Sequence, residues 1–364
     1  MERQNDCKIV LETGEVFEGI SLGAKAERVC ELVFNTNMVG YQEVISDPSS
    51  CNQAVVMTYP IIGNYGITDD DFENKSPTVA ALIMRDYNDQ PSNFRCTKTL
   101  AEILEDNGIP AIYGLDTREL TRIIRKNGAC KVIITDVSTP VEECLEKIKN
   151  TTFPENAVAA VSCRKKWYRR TEHSRYNVVA VDLGVKQSFV KQLCGRGCNV
   201  TVVPYNTTAE EIERLAPDGV FFSNGPGNPE SVDAPVELIK QIRGKYPIFG
   251  MCMGNQLIAR SYGARTYKMN IGHRGGNYPV RNLETGVVEI TGQNHGYVVD
   301  EKSLEGTPLR VTHRNVLDGS VEGIECKEDR IYGIQFYSES CPERRDGSSL
   351  FDKFITMMEE SKNA

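Results

Sequence analysis

Histidine is scarce in this chain, with four residues among 364, and tryptophan occurs once. Few side chains are therefore available to act as a base near neutral pH. No apolar run approaches the roughly 18 residues that a membrane-spanning helix needs, and the first six residues are too polar to open a secretion signal. We expect a cytoplasmic protein with no membrane contact.

Basic residues are also fewer than acidic ones, 42 against 50, so the formal net charge is −8 at pH 7. This charge argues against a general affinity for nucleic acid. No phosphate-binding loop of the Gly-x-x-x-x-Gly-Lys type occurs, so we expect no nucleotide site in this chain. Most of the twelve cysteines lie in apolar runs and read as buried thiols. Cys194 and Cys198 have no second cysteine or histidine cluster nearby, so we predict no metal site.

A chain of 364 residues exceeds what one hydrophobic core usually organises, so we expect two domains. Residues 1–150 read as a strand-rich, mixed α/β domain, with strands at 31–34 and 54–58 and a helix that Thr117 caps. Residues 151–175 lose this pattern and contain the basic run Arg164-Lys165-Lys166-Trp167-Tyr168-Arg169-Arg170, which we interpret as a solvated linker.

Residues 176–364 predict an α/β domain of the doubly wound type with a mainly parallel sheet. Short β-branched strands alternate there with helical segments, which calls for a sheet covered on both faces. The strands are expected at 177–182, 200–203 and 219–222, and the helices at 188–194, 209–215 and 235–243. Ligands of such sheets gather outside the carboxyl ends of the strands.

One cysteine stands between two glycines in Gly250-Met251-Cys252-Met253-Gly254-Asn255-Gln256. An apolar run precedes this segment and a helical run follows it, as in a nucleophile elbow. The glycines permit the sharp turn, and the apex side chain then lies beside backbone N–H groups and the positive end of a helix dipole. Such a position favours the thiolate, so Cys252 is the predicted nucleophile.

The elbow, the loop Ser223-Asn224-Gly225-Pro226-Gly227 and the late segment Gln335-Phe336-Tyr337-Ser338-Glu339 resemble the triad-type, class I glutamine amidotransferases. Other segments are similar to the carbamoyl-phosphate synthase small-chain family over nearly the whole length, including an amino-terminal domain that other amidotransferases lack. They are Val33-Phe34-Asn35-Thr36, Gly40-Tyr41-Gln42-Glu43, Ser46-Asp47-Pro48-Ser49, Thr58-Tyr59-Pro60, Ile62-Gly63-Asn64-Tyr65-Gly66, Leu115-Asp116-Thr117-Arg118 and Gly292-Gln293-Asn294-His295-Gly296-Tyr297.

The resemblance implies a function and a set of site residues. The small chain would hydrolyse L-glutamine through a Cys252 thioester and pass ammonia to a large chain, which holds ATP, magnesium and bicarbonate. No cofactor is expected in this chain itself. The residues implied to bind glutamine are Ser49, Gly225, Gly227, Met253, Gln256, Asn294, Gly296 and Tyr297. Taken singly, Gly225-Pro226-Gly227 could be a tight turn, and Asn294 or Gln256 a buried amide that satisfies the backbone.

The family carries a catalytic histidine two residues before Glu339, where this chain has Tyr337. A phenol with an ordinary pKa of about 10 cannot serve as the base near neutral pH. His173, His273, in a glycine loop, and His313, in a strand, read as structural. His295 is implied to lie near the pocket, and we interpret it as shaping the pocket, since no carboxylate pairs with it in the sequence.

Two milder departures surround the site: Asn255 stands where the family often has histidine, and Arg274 and Tyr278 interrupt a stretch that is rich in histidine and glycine. The prediction is a small subunit, in a heterodimer or a higher oligomer, with weakened glutaminase. The alternatives are a non-catalytic partner of an ammonia-using large chain and a stand-alone thiol hydrolase of another amide. Arginine and pyrimidine synthesis both stay open as the pathway.

Overall fold

The computed structural model describes residues 4–337 and 348–363. The chain forms two compact units, Met1–Pro154 and Glu155–Ala364. The boundary falls inside the segment 151–175 that was predicted to be a linker. None of the helices in the described residues combines the length and the apolar character needed to cross a membrane.

The first unit is built on a closed barrel with the strand order β1-β2-β8-β6-β4-β3-β9. In chain order its elements are β1 (Cys7–Leu11), β2 (Val16–Gly23), β3 (Arg28–Asn35), α1 (Tyr41–Ser46), a 3-10 helix (Pro48–Ser50), β4 (Gln53–Met57), β5 (Ile61–Ile62), β6 (Ala81–Ile83), β7 (Asp86–Tyr87), α2 (Leu100–Asp106), β8 (Pro110–Tyr113), α3 (Thr117–Asn127), β9 (Cys130–Asp136) and α4 (Val141–Asn150). Strands β5 and β7 form a separate pair. The strand-rich, mixed character predicted for this part of the chain is confirmed.

The cap of α3 differs from the prediction by one residue. Asp116, not Thr117, is the N-cap, and its side chain accepts a hydrogen bond from the backbone N–H of Glu119 at 2.9 Å. Both residue types are good caps, and the sequence alone does not tell which of two neighbours takes the extended backbone conformation.

The second unit contains a ten-stranded sheet with the order β10-β12-β11-β13-β14-β19-β18-β17-β15-β16. In chain order its elements are α5 (Val158–Val161), β10 (Trp167–Arg169), β11 (Tyr176–Asp182), α6 (Gln187–Gly195), β12 (Cys198–Pro204), α7 (Ala209–Arg214), β13 (Gly219–Phe222), a 3-10 helix (Pro229–Ser231), α8 (Asp233–Ile242), β14 (Ile248–Met251), α9 (Met253–Ser261), β15 (Thr266–Asn282), β16 (Val288–Val299), a 3-10 helix (Glu301–Leu304), β17 (Arg310–Asn315), β18 (Val321–Cys326), β19 (Ile331–Ile334) and α10 (Ser348–Asn363).

The parallel half of this sheet has apolar cores on both faces. Strands β12, β11, β13, β14 and β19 are mutually parallel neighbours. Val178 and Ala180 of β11 belong to one apolar cluster together with residues of α6 and α10. Val179 and Val181 belong to another, together with residues of α8 and α9. Successive residues of a strand point to opposite faces, so helices cover both sides and the doubly wound α/β fold is confirmed.

Two parts of the sheet differ from the predictions. The predicted linker contains α5 and the edge strand β10, where Trp167 pairs with Val202 and packs against an apolar cluster. The other half of the sheet, β18-β17-β15-β16, is antiparallel. His273 lies within β15 and pairs with His295, not in the glycine loop that was expected, because register shifts on either side accommodate the glycines in a strand.

Candidate active site

The turn from β14 into α9 has the geometry of the predicted nucleophile elbow. Cys252 is the N-cap of α9 and has φ 54° and ψ −103°, a strained conformation for a residue with a side chain. Its backbone N–H donates to the carbonyl of Ile334 at 2.7 Å, which ties the elbow to the neighbouring strand β19. The side chain is only 2% exposed.

Position 254 has room only for glycine, because the first turn of α9 lies against the end of β13. A Cβ at this position would lie 2.2 Å from the carbonyl oxygen of Phe222. The backbone N–H of Gly254 also donates to the carbonyl of Ser223 at 3.0 Å. The elbow therefore rests directly on the segment that begins the glycine loop.

Gly254→Ala should destabilise the second unit by about 1–3 kcal/mol, because backbone must move to admit the methyl group. Urea unfolding followed by the fluorescence of Trp167, which lies in this unit, measures the effect. Gly195→Ala is the matched control, since a Cβ there has no heavy atom within 4 Å. Equal unfolding midpoints for the two variants would contradict the steric argument.

The sulfur of Cys252 contacts a backbone carbonyl and a side-chain amide. The thiol faces the carbonyl oxygen of Asn294, in β16, with 3.9 Å between Sγ and oxygen. The amide of Gln335, directly after β19, donates from Nε2 to Sγ at 3.5 Å. Gln335 is fully buried. Gln335 was not predicted as a site residue from the sequence, although it follows the strand beside β14 and its backbone therefore ends near the elbow.

Gln256 joins α9 to the strand that carries Asn294. Its side-chain Nε2 donates to the carbonyl of Tyr297 at 2.6 Å and to Oε1 of Gln335 at 3.0 Å. The structure thus brings together four of the residues selected from the sequence, namely Cys252, Gln256, Asn294 and Tyr297. Gln256 also shows the buried-amide role considered for it, because it satisfies a backbone carbonyl.

The glycine loop after β13 lies at the same edge of the sheet as the elbow. A Cβ on Gly225 would lie 2.3 Å from the carbonyl oxygen of Leu183, and Gly227 has φ 85°. The loop therefore needs both glycines for its own shape. Met253, the first residue of α9, is buried in an apolar cluster. Gly296 lies in β16, where a Cβ would approach Nη2 of Arg274 to 3.1 Å.

Tyr337 is buried beside the site. It forms an isolated antiparallel bridge with Gly292, with backbone N to O distances of 2.7 and 3.1 Å. Its ring packs against Phe189, with 5.7 Å between centroids, and belongs to the same apolar cluster as Cys252. Nζ of the buried Lys186 lies 5.0 Å from the centre of the ring.

Lys186 is a second residue that the sequence analysis missed. It follows β11, so it reaches the carboxyl edge of the parallel strands, where the elbow also lies. Glu339, the predicted orienting carboxylate, lies outside the described residues. Ser49 lies in the 3-10 helix Pro48–Ser50 of the first unit, and its contact with glutamine stays a prediction.

Comparison with known proteins identifies the family. The model for the carbamoyl-phosphate synthase small chain, CPSase domain, matches residues 9–134, and that for glutamine amidotransferase class-I matches residues 179–357. The carbamoyl phosphate synthase small chain of Staphylococcus saprophyticus is 48% identical over 97% of this chain and 96% of its own length. The chain belongs to the carbamoyl phosphate synthase small-chain family.

Two further relatives agree with the family assignment. The carbamoyl phosphate synthase small chain of Fusobacterium nucleatum is 49% identical over 96% of this chain and 97% of its own length. The carbamoyl phosphate synthase pyrimidine-specific small chain of Halalkalibacterium halodurans is 47% identical over 100% of this chain and 99% of its own. The resemblance seen in the sequence is therefore confirmed.

In this small chain of the carbamoyl phosphate synthase family, each ring nitrogen of His295 faces an oxygen atom, and a neutral imidazole can donate to one of the two. Nδ1 lies 3.0 Å from the carbonyl oxygen of Tyr297, and Nε2 lies 3.1 Å from Oε1 of Gln293. Burial lowers the pKa of His295 well below the usual value, and the charge of His273 adds to the effect. These contacts support the interpretation of His295 as a residue that shapes the pocket.

His273 lies behind His295 and between two carboxylates. Its Nε2 is 2.9 Å from Oδ2 of Asp318, and its Nδ1 is 3.5 Å from Oε1 of the buried Glu322. Burial alone would lower the pKa of His273, but the two carboxylates raise it to about 9. Burial raises the pKa of Glu322, whereas the bond from His273 holds that of Asp318 below the usual range. In the network of His273, His295, Asp318 and Glu322, the main ion pair is therefore the His273 imidazolium with the Asp318 carboxylate.

The network also meets a distance requirement for a metal site. Potential ligand atoms of His273, His295 and Glu322 lie within 4.8 Å of one another. However, a protonated His273 bonds both carboxylates and has no lone pair left for a metal ion. We assign no ion to this cluster, because a histidine binds a metal ion only after it has lost its proton.

Proposed function

We propose that this chain is the glutamine-binding small subunit of a carbamoyl phosphate synthase, and that it hydrolyses glutamine slowly. The observation that carries the proposal is a buried cysteine at a strained elbow, in contact with Asn294 and Gln335, while the family's histidine position holds Tyr337. The names of the relatives support a large subunit as the partner that receives the ammonia. ATP, magnesium and bicarbonate then belong to that subunit.

In the proposed reaction, the sulfur of Cys252 attacks the side-chain amide carbon of glutamine. Backbone N–H groups at the elbow and the glycine loop stabilise the oxyanion, and expulsion of ammonia leaves a glutamyl thioester that water cleaves. Departing ammonia needs a proton, and the thiol must lose one. Tyr337 cannot provide both transfers near neutral pH, because a phenol does not accept a proton there. Loss of a triad member costs roughly 10³-fold or more, while the oxyanion hole retains some rate.

The proposal is tested with the chain and its large subunit purified together. We expect carbamoyl phosphate synthesis to be at least about 100-fold faster with saturating ammonium than with saturating glutamine. Cys252→Ala should remove the glutamine-supported rate and leave the ammonium-supported rate unchanged. Equal rates with the two nitrogen sources would contradict slow hydrolysis. A glutamine-supported rate that Cys252→Ala does not change would favour the alternative, a non-catalytic partner.

A further inference from the structure

Gln335 holds a position from which it acts directly on the reactive sulfur. We propose that its side-chain N–H stabilises the ionised sulfur of Cys252 in this chain, an inference that rests on the proposed function of Cys252 as the nucleophile. Nε2 of Gln335 lies 3.5 Å from Sγ, and both side chains are buried. Gln335 thereby touches a reacting atom.

The orientation of the Gln335 amide follows from a backbone group. Gln256 donates to the carbonyl oxygen of Tyr297 at 2.6 Å, and since a carbonyl can only accept, this contact identifies Nε2 of Gln256. The same Nε2 lies 3.0 Å from Gln335, so the atom of Gln335 that faces it is the acceptor Oε1. The NH₂ group of Gln335 is left facing the sulfur.

Asn255 supports the same orientation. Its Nδ2 donates to Oε1 of Gln335 at 3.4 Å, so that oxygen accepts from two neighbouring side chains of α9. Within residues 4–337 and 348–363, the buried Oδ1 of Asn255 has no hydrogen-bond partner. Rotating the Asn255 amide by 180° would place its Oδ1 against Oε1 of Gln335, and two acceptors repel each other. Asn255 therefore keeps its oxygen without a partner, and the NH₂ group of Gln335 remains directed at Cys252.

The contacts of Asn294 and Gln335 with the sulfur have opposite effects on its ionisation. The carbonyl of Asn294 accepts from the S–H group and favours the neutral thiol. The N–H of Gln335 donates to sulfur and is strengthened when the sulfur becomes negative, as are hydrogen bonds to charged groups in general. Burial opposes the charge, and the N-terminus of α9 favours it. Gln335 therefore adds to the helix N-terminus a side-chain hydrogen bond that stabilises the ionised sulfur.

The absence of an imidazole at position 337 gives this contact its importance. With histidine there, the thiol proton can move to the base during attack. With tyrosine, the proton must go to solvent beforehand, so the rate follows the fraction of sulfur that is already ionised. A hydrogen-bond donor that raises the ionised fraction of Cys252 therefore raises the concentration of reactive thiolate.

The experiment measures alkylation of Cys252 by iodoacetamide against pH, with mass spectrometry of the peptide that contains Cys252. The thiolate attacks the reagent's carbon, a carbon–sulfur bond forms, and iodide leaves, so the rate reports the ionised sulfur. Gln335→Met keeps the volume and removes the donor, and Gln335→Glu keeps the shape and presents an acceptor. We expect the midpoint of the pH profile to rise by about one unit in Gln335→Met, with about tenfold slower alkylation at pH 7, and further in Gln335→Glu.

Two controls separate loss of the donor from a loosened fold. Gln192→Met makes the same replacement at a residue whose amide contacts Arg196, and its profile should match the wild type. Cys198, fully buried and with its pKa raised by burial to about 12, is an internal standard. A loosened fold speeds alkylation of Cys198, whereas loss of the donor slows alkylation of Cys252, so the two effects have opposite signs.

Superimposed profiles for the wild type and either folded Gln335 variant would overturn the inference. So would a wild-type Cys252 that reacts only above about pH 9, as an unassisted buried thiol does. The assay contains neither glutamine nor a large subunit. A chain that fails to hydrolyse glutamine would therefore refute the proposed function while leaving the role of Gln335 measurable on its own.

Discussion

Replacing Tyr337 by histidine is expected to raise kcat for glutamine hydrolysis by about 10²- to 10³-fold, the usual contribution of a positioned general acid–base. The backbone of residue 337 is held by its bridge to Gly292, and the side chain belongs to the same buried cluster as Cys252. An imidazole at this position would enter the buried cluster that contains the nucleophile. A glutaminase assay of the purified pair of subunits measures the gain.

Lys186 should oppose protonation of the new imidazole. Its Nζ lies 5.0 Å from the centre of the present Tyr337 ring, and a nearby cation lowers the pKa of an imidazole. We therefore expect the imidazole of Tyr337→His to be neutral, and able to accept the thiol proton, at neutral pH.

Two variants show whether the gain comes from proton transfer. Tyr337→Phe removes the hydroxyl group and keeps the ring, so its rate should equal that of the wild type. Tyr337→His combined with Cys252→Ala should lose the gain entirely, because the imidazole then has no nucleophile to serve. A wild-type rate that already matches Tyr337→His would show that another group performs the transfer.

The parallel half of the second unit could be predicted from the sequence, because its strands and helices follow local patterns. The β-branched runs are short, and the helices repeat apolar residues on one face. The loops that follow parallel strands all begin at the same edge of the sheet. The elbow was predictable for the same reason, since two glycines and one cysteine specify a turn whose geometry depends on neighbours in the chain.

Contacts between residues far apart in the chain were not predictable in this way. Gln335 follows Cys252 by more than 80 positions, and it reaches the sulfur only because β19 is the neighbour of β14 in the sheet. Lys186 reaches the ring of Tyr337 from the end of β11. His273 was taken for a loop residue because glycines surround it, whereas pairing with the strand of His295 draws it into β15.

The largest pH effect is expected from His273. Its pKa in the folded chain is raised to about 9, above the ordinary value of about 6.5 that it regains on unfolding. The stability it contributes is therefore fully present below pH 6.5 and is lost as the pH rises through 9. Wild type should exceed His273→Gln by about 3 kcal/mol in free energy of unfolding at pH 6, and the two should converge near pH 9.

Urea unfolding followed by Trp167 fluorescence, repeated from pH 6 to pH 9, tests this pH range, and ionisation of the buried thiols cancels in the difference because wild type and variant share those thiols. His313→Gln is the matched control, because burial lowers the pKa of His313 to about 4. Its contribution is present above pH 6.5 and is lost only as the pH falls toward 4, so its difference from wild type should stay constant between pH 6.5 and 9. A constant difference for His273→Gln as well would mean that His273 is neutral in the folded chain. In that case the carboxylates of Asp318 and Glu322 would have to be balanced by another charge.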